Sequence, residues 1–334
     1  MMKIAIVGVG LVGRVLALNL LNRGHTLTLF DEDTAYGDAS AGMTAAGMLA
    51  LFAELETAES SIFERGKRSI DLWPSLLEQI GISDAYQLEG SIITAHPQDL
   101  SELDHFIDTL KSKVAEASTI LELNKEEIIA LEPDLEQHNK AFYIPHEGQV
   151  DAQRFMQASS DYLLNHLAVT WHQERKVEKA EEFLNDFDWV YDARGLGAQE
   201  DVKDLRGVRG EVFWLEAPEV KITRPTRMLH PRYKIYIVPR PDNRYIIGAT
   251  EIESEDMSPM SVRSSLELLS AVYSMHSGFA EARIIKCATN CRPTLTDNLP
   301  RIEYHDRLTR INGLYRHGYL LAPAVVEEAL KELS

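Results

Sequence analysis

Gly8, Gly10 and Gly13 stand at the spacing G-x-G-x-x-G, with Leu11 and Val12 filling the gap before the last glycine. Glycines so placed let a backbone turn tightly, approach a pyrophosphate and then pack a helix against a strand, steps that a side chain would obstruct. A helix opening inside the motif offers free amide donors and the positive end of its dipole to phosphate. Asp31 follows eighteen residues after Gly13, where a carboxylate can accept from a ribose hydroxyl. The pattern alone is common in turns, and its context gives it weight: an apolar strand precedes it and a second strand ends on the acid. It points to a dinucleotide without choosing between NAD and FAD.

Other chemistries are poorly represented. The two cysteines, Cys287 and Cys291, cannot build a disulfide framework, and no second pair completes a zinc site. His230 and His317 lack the H-x-x-x-H spacing of a metal helix, so no metal is expected, and the G-x-S-x-G of a hydrolase nucleophile is absent.

The elements that must hold these residues can be read from periodicity. Ile4-Ala5-Ile6-Val7 is a continuous apolar run closed by glycine, as a buried parallel strand requires. Leu11 to Asn22 carries helical apolar spacing and Gly24 suits a left-handed cap. Thr26 to Phe30 completes a βαβ unit. The small-residue stretch from Gly37 to Met48 suggests backbone packed closely against something. Helical periodicity returns at Ile62 to Ile80 and from Leu100 to Val114, and Trp189-Val190-Tyr191 is a short strand running into Asp192-Ala193-Arg194-Gly195. From about Val208 to Thr250 the pattern is antiparallel β, with strands Tyr233 to Val238 and Tyr245 to Ile247 joined by a polar loop containing Pro239 and Pro241. Arg307 to Asn312 and Tyr315 to Leu321 precede a last helix expected over Ala324 to Leu333.

The bulk figures bound the function. The 334 residues suit two domains. Lys and Arg total 34 against 52 Asp and Glu, a net charge of −18 that repels phosphate backbones and makes nucleic acid a poor partner. The longest apolar run, Met43 to Ala53, falls short of the ~18 residues of a membrane span. A cytoplasmic, reduced setting is expected; self-association is left open.

Four segments carry a family resemblance: the N-terminal glycine motif; Thr44-Ala45-Ala46-Gly47-Met48-Leu49 with Glu54 after it; Tyr236-Ile237-Val238-Pro239-Arg240 with Gly248-Ala249-Thr250; and Arg292-Pro293 with Gly318 to Pro323. Together they resemble the D-amino-acid oxidase superfamily, and its glycine oxidase branch of thiamine biosynthesis in particular. The resemblance spans nearly the whole chain, although residues 86 to 145 match only in layout. It implies an α/β fold (α+β overall): a Rossmann-like FAD-binding domain from residues 1–85, 146–207 and 291–334, with an inserted antiparallel β-rich substrate domain from 86–145 and 208–290.

The same resemblance implies FAD as cofactor and a small amino acid or amine as substrate, with hydride passing from Cα to the flavin and O2 or a quinone as acceptor. Gly47 and Met48, in the run from Thr44, would lie against the isoalloxazine and Val177 beside the adenine. Ala193 and Gly195 belong to the flavin-domain strand end, and His317, Gly318, Tyr319 and Leu320 would close over the pyrimidine ring at a helix N-terminus. Arg292 would clamp the substrate carboxylate, Tyr236 would bond or shape it, and Arg316 would reach it through its backbone carbonyl. Three residues depart from the pattern. Arg194 stands where a small residue is usual, Glu251 follows Gly248-Ala249-Thr250 where an apolar one is found, and Cys291 lies near the point where related sarcosine oxidases bond flavin covalently. A packed, inert thiol is the plainer reading of Cys291. A quinone-linked D-amino-acid dehydrogenase, an NAD(P)-dependent reductase and a cofactor-free binding protein are the alternatives.

Overall fold

The structure, a computed structural model, describes residues 1–52, 55, 60–230 and 235–333. Glu54 and Tyr233 therefore lie outside the described residues.

Lys3–Val7 is the apolar strand expected, and it pairs in parallel with Thr26–Phe30 on one side and Trp189–Asp192 on the other. Val169–His172 extends the sheet beyond Thr26–Phe30, and Leu308–Asn312 followed by antiparallel Arg301–His305 extends it beyond Trp189–Asp192, giving six strands. Strand order reverses about Lys3–Val7, so the carboxyl ends at Val7, Phe30, Asp192 and Asn312 frame a crevice of the kind where nucleotides bind in open α/β sheets. The helix Leu11–Asn22 rises from this crevice. Gly24 ends it at φ +77°, its N–H donating to the Leu21 carbonyl at 2.9 Å.

A second sheet of eight strands runs in the order Arg283–Thr294, Arg206–Glu216, Arg244–Gly248, Ile235–Arg240, Thr226–Leu229, Ser91–Ala95, Lys140–Ile144 and Leu121–Asn124. Segments from residues 91–144 and 206–294 thus share one sheet, joined where Thr226–Leu229 lies parallel to Ser91–Ala95. The helix Val262–Met275 buries Leu268, Ala271, Val272 and Met275 against it.

Two expectations need correction. Pro239 belongs to the strand and not to the loop, which shrinks to Pro241-Asp242-Asn243. The neighbouring strand Thr226–Leu229 reaches only as far as Ile237, so the N–H that proline lacks costs no ladder bond. The last helix begins at Gly318, not Ala324, after a single 3₁₀ turn at Tyr315–His317. Pro323 sits inside that helix and strips the Tyr319 carbonyl of its i+4 donor. The Trp73 indole N–H supplies the missing bond at 2.8 Å, from the helix Ser60–Gln79, and Ser69 Oγ accepts from the Ala324 N–H at 3.0 Å.

Candidate active site

The glycine motif has the geometry its spacing implies. Gly8 adopts φ +88°, and a Cβ there would stand 2.5 Å from the Ala193 carbonyl oxygen, while one on Gly13 would stand 2.0 Å from the Gly8 oxygen. Gly10 caps the helix and is open apart from Ser40 Oγ at 3.1 Å from such a Cβ. The first two conformations are dictated by protein packing; the third leaves room for a visitor. Asp31 accepts from the Val9 N–H and from the Asp33 N–H at 2.9 Å, and burial pushes its carboxyl up against the pull of those amides. Arg14, 3% exposed, bonds Met156 O, Ser160 Oγ and Ala35 O at 2.7–2.8 Å. It has no carboxylate within 4.0 Å among the described residues, and burial lowers its pKa to about 10. A buried cation of this kind is costly unless an anion comes to it.

These residues line one cavity of about 1300 Å³, above the usual range of roughly 300–1,000 Å³ for a single small ligand. It runs from Asp31, Arg175 and Val177 past Gly10 and Ser40 to Tyr236, Glu251, Arg292 and Arg316. Every sequence candidate lines it except Gly13, which is spent on the helix–strand contact. A dinucleotide and a small substrate fit such a volume and such a donor set.

Midway, the small-residue segment is tied down by the short strand Gly148–Val150 and by side chains of the second sheet. Gly47 holds φ +66°, with Val150 N–H donating to its carbonyl at 2.8 Å; a Cβ would lie 2.0 Å from Val150 O. The buried Arg240 donates to Ala46 O and to Gln149 Oε1, both at 2.6 Å, and Asn290 Nδ2 donates to Ala39 O at 3.0 Å. Facing this loop, the amides opening the helix Gly318–Ala329 border the cavity. The Tyr319 side chain turns away, its hydroxyl donating toward Gly42 O and Ala152 O at 3.1 and 3.2 Å.

At the far end Arg292 is half-buried on the strand Arg283–Thr294. Its guanidinium donates to Thr250 O at 3.2 Å from both Nη atoms and to Arg209 O at 3.4 Å. Carbonyls orient it without neutralising it, and no described carboxylate lies within 4.0 Å. Among other arginines of the second sheet, Arg209 is paired with Glu211 at 2.7 Å and Arg227 with Glu147. Tyr236 packs with Val238, Met48 and Ala249, on the face opposite Ile235 and Ile237, and its hydroxyl lies against Gly248. Arg316 pairs with Glu251 at 3.0 Å. Cys291 is buried, its thiol pushed up by burial and directed to Ser254 O at 3.6 Å. His230 meets His96 edge-on and does not border the cavity.

Sequence reasoning gave no role to Arg14, Arg175, Arg240 or Asn290, because nothing in their spacing marks them. Arg194, noted only as an oddity, is a hub. It bonds Asp192 at 2.7 Å and Asp201 at 2.6 Å, and its Nη1 donates to Glu178 O at 2.6 Å and Val177 O at 3.1 Å. A charged residue stands there because two acids and a loop converge on it.

Comparison with known proteins agrees with this geometry. The family model described as FAD dependent oxidoreductase matches residues 3–329. A Rhizobium etli protein named as the thiamine biosynthesis oxidoreductase ThiO is 36% identical over 99% of this chain and 96% of its own. Glycine oxidase of Geobacillus kaustophilus is 27% identical over 96% of this chain and 89% of its own. The crystal structure of that glycine oxidase superposes with a TM-score of 0.81, at 25% identity, covering 98% of this chain and 93% of the other.

Proposed function

The chain belongs to the family of FAD-dependent oxidoreductases, and on that premise we propose that it oxidises glycine and other small amino acids or secondary amines to the imine, with O2 reduced to hydrogen peroxide. FAD, when bound, supplies the two-electron acceptor for the hydride leaving the substrate Cα. The turn at Gly8 and Gly10 and the amides opening the helix Leu11–Asn22 would hold the pyrophosphate, with the Arg14 cation lining the same cavity, while Asp31 would take the ribose and Val177 would flank the adenine. Gly47 and Met48 would border the isoalloxazine. The helix beginning at Gly318, whose start borders the cavity, would turn its positive end to the pyrimidine ring and favour negative charge on the reduced cofactor.

Arg292 clamps the substrate carboxylate. Its planar fork pairs two oxygens at once, which fixes orientation as well as charge, and Tyr236 closes the space beside it. Orientation is the main contribution of these side chains: a substrate held by one end presents its Cα–H in a single pose. No side-chain base is assigned, since a neutral substrate amine needs none. The reading rests on one observation: an arginine free of any described carboxylate shares a cavity with the dinucleotide motif.

The test is the purified protein. It should be yellow, and oxygen uptake with stoichiometric peroxide should follow glycine or sarcosine and, more weakly, small D-amino acids. Turnover of hydroxy acids alone would overturn the assignment. Amine turnover with a quinone but sluggish oxygen uptake would replace O2 as the acceptor.

A further inference from the structure

The Arg292 guanidinium lies over Gly210 of the neighbouring strand. Arg292 pairs with Val208 of Arg206–Glu216, and alternation puts Val208, Gly210 and Arg292 on one face of the sheet. An ideal Cβ on Gly210 would stand 2.3 Å from Arg292 Nη2, 2.5 Å from Cζ and 2.7 Å from Nη1. Gly210 is not among the glycines at positive φ, so space and not backbone conformation is what a side chain would contest here. Two carbonyls then orient the fork. Thr250 O stands 3.2 Å from both Nη atoms and so meets the N–H groups that face each other, while Arg209 O, 3.4 Å from Nη1, takes the outer N–H of that atom. The N–H groups left over, on Nε and on the outer side of Nη2, are parallel and form an edge that can pair a carboxylate with two bonds.

The Thr250 carbonyl is itself held in place. Thr250 Oγ1 accepts from the Glu211 N–H and donates to Glu211 Oε2, both at 3.0 Å, and the Thr250 N–H donates to Glu211 O at 3.3 Å. Glu211 is fully buried and paired with Arg209 at 2.7 Å; as a carboxylate it only accepts, which fixes the direction of the hydroxyl. Arg209 in turn exchanges backbone bonds with Ile252 at 2.8 and 3.0 Å. We propose that Gly210 and Thr250 are positioning residues for the substrate carboxylate: Gly210 leaves the floor on which the Arg292 guanidinium lies, and Thr250, pinned by Glu211, turns the Nε–Nη2 edge to the cavity. The inference rests on the reading of Arg292 as the clamp. A seat that orients a long side chain beforehand spares binding the cost of ordering it. A methyl group on Gly210 must push the guanidinium by about 1 Å to restore ordinary contact. The push falls on the far end of a flexible side chain, so the fold survives while the clamp moves, and a displacement of that size costs up to about a hundredfold in rate.

The test compares FAD-loaded wild type, Gly210→Ala, Thr250→Val and Thr250→Ser, each also in an Arg292→Ala background. Two quantities are read: kcat/KM for glycine, and the stabilisation against heat given by acetate, a carboxylate that is not turned over. Gly210→Ala should lower kcat/KM about tenfold or more and lose most of the acetate effect, while keeping its flavin. Thr250→Val leaves the Glu211 N–H without its acceptor and should lower kcat/KM about threefold or more, whereas Thr250→Ser should stay within about twofold of wild type. In Arg292→Ala neither substitution should do further harm, because a seat without its occupant positions nothing. Gly210→Ala matching wild type in both quantities, or losses that persist in full on top of Arg292→Ala, would overturn the proposal. Should Gly210→Ala not fold, the Thr250 variants decide, and Val equal to wild type or Ser no better than Val has the same force. Wild type that oxidises no amino acid refutes the reaction, and the acetate arm still judges the seat; Arg292→Ala indistinguishable from wild type refutes the clamp and the seat with it.

Discussion

Replacing Arg194 by methionine removes a cation from a pocket that cannot tolerate the loss. The side chains of Arg194 and Asp192 are 6% and 1% exposed, and Asp201 is 12% exposed. Breaking a buried pair by removing one partner typically costs about 3–5 kcal/mol, because the remaining charge stays buried. Arg310 Nε still stands 3.4 Å from Asp192 and retains part of the compensation, so about 2–4 kcal/mol is expected here. With an unfolding entropy near 2.1 cal/mol/K per residue, this corresponds to a fall in Tm of roughly 3–6 °C for a chain of this length. The loop carbonyls of Val177 and Glu178 are released at the same time, and that loop borders the end of the cavity proposed above for the adenine. FAD should therefore bind several-fold more weakly, while KM for amino acids at saturating FAD stays within about twofold, since Arg292 lies at the other end. Thermal unfolding of the apoprotein, fluorescence titration with FAD and steady-state kinetics give the three readouts. A Tm within 1 °C of wild type together with unchanged FAD affinity would refute the reasoning.

Gly10→Val should fold yet purify without FAD, because a Cβ there meets only Ser40 among the described residues and the branched side chain would stand where the pyrophosphate is proposed to approach; full FAD occupancy would contradict the cradle. Arg292→Ala should raise the amino-acid KM by about two orders of magnitude or more, as loss of a charge-assisted clamp implies, while leaving FAD bound; Arg292→Lys should recover only part, and a KM within twofold of wild type excludes the clamp. Acid precipitation should release all the flavin, and Cys291→Ser should not alter its retention, since burial disfavours the thiolate that a covalent bond would require. The Glu251–Arg316 contact should show in stability against pH. The folded-state pKa of Glu251 is depressed, so its contribution is fully present above the unfolded value of about 4.3 and is lost as pH falls through the folded one. The difference in Tm between wild type and Glu251→Gln should thus be constant at neutral pH and vanish in strong acid.

The sequence by itself determined the parts whose physics is local. Gly8, Gly10 and Gly13 stand between an apolar strand and an amphipathic helix, and each answers a backbone requirement that a side chain would violate, so motif and βαβ unit could be read together. Tyr236 could be assigned to the Val238 face because strand alternation leaves no other choice. What only the tertiary structure decided concerns groups whose partners are far away in the chain. The helix start at Gly318 was hidden by Pro323, because the bond that rescues the Tyr319 carbonyl comes from Trp73, nearly 250 residues earlier. Pro239 read as loop until the shortness of the strand beside it was known. Arg194 and Glu251 looked like departures from a pattern. Their charges acquire meaning only where folding sets Asp192 and Asp201 around one and Arg316 and Tyr315 against the other, since a charge is defined by its neighbours in space and one-dimensional spacing does not record them.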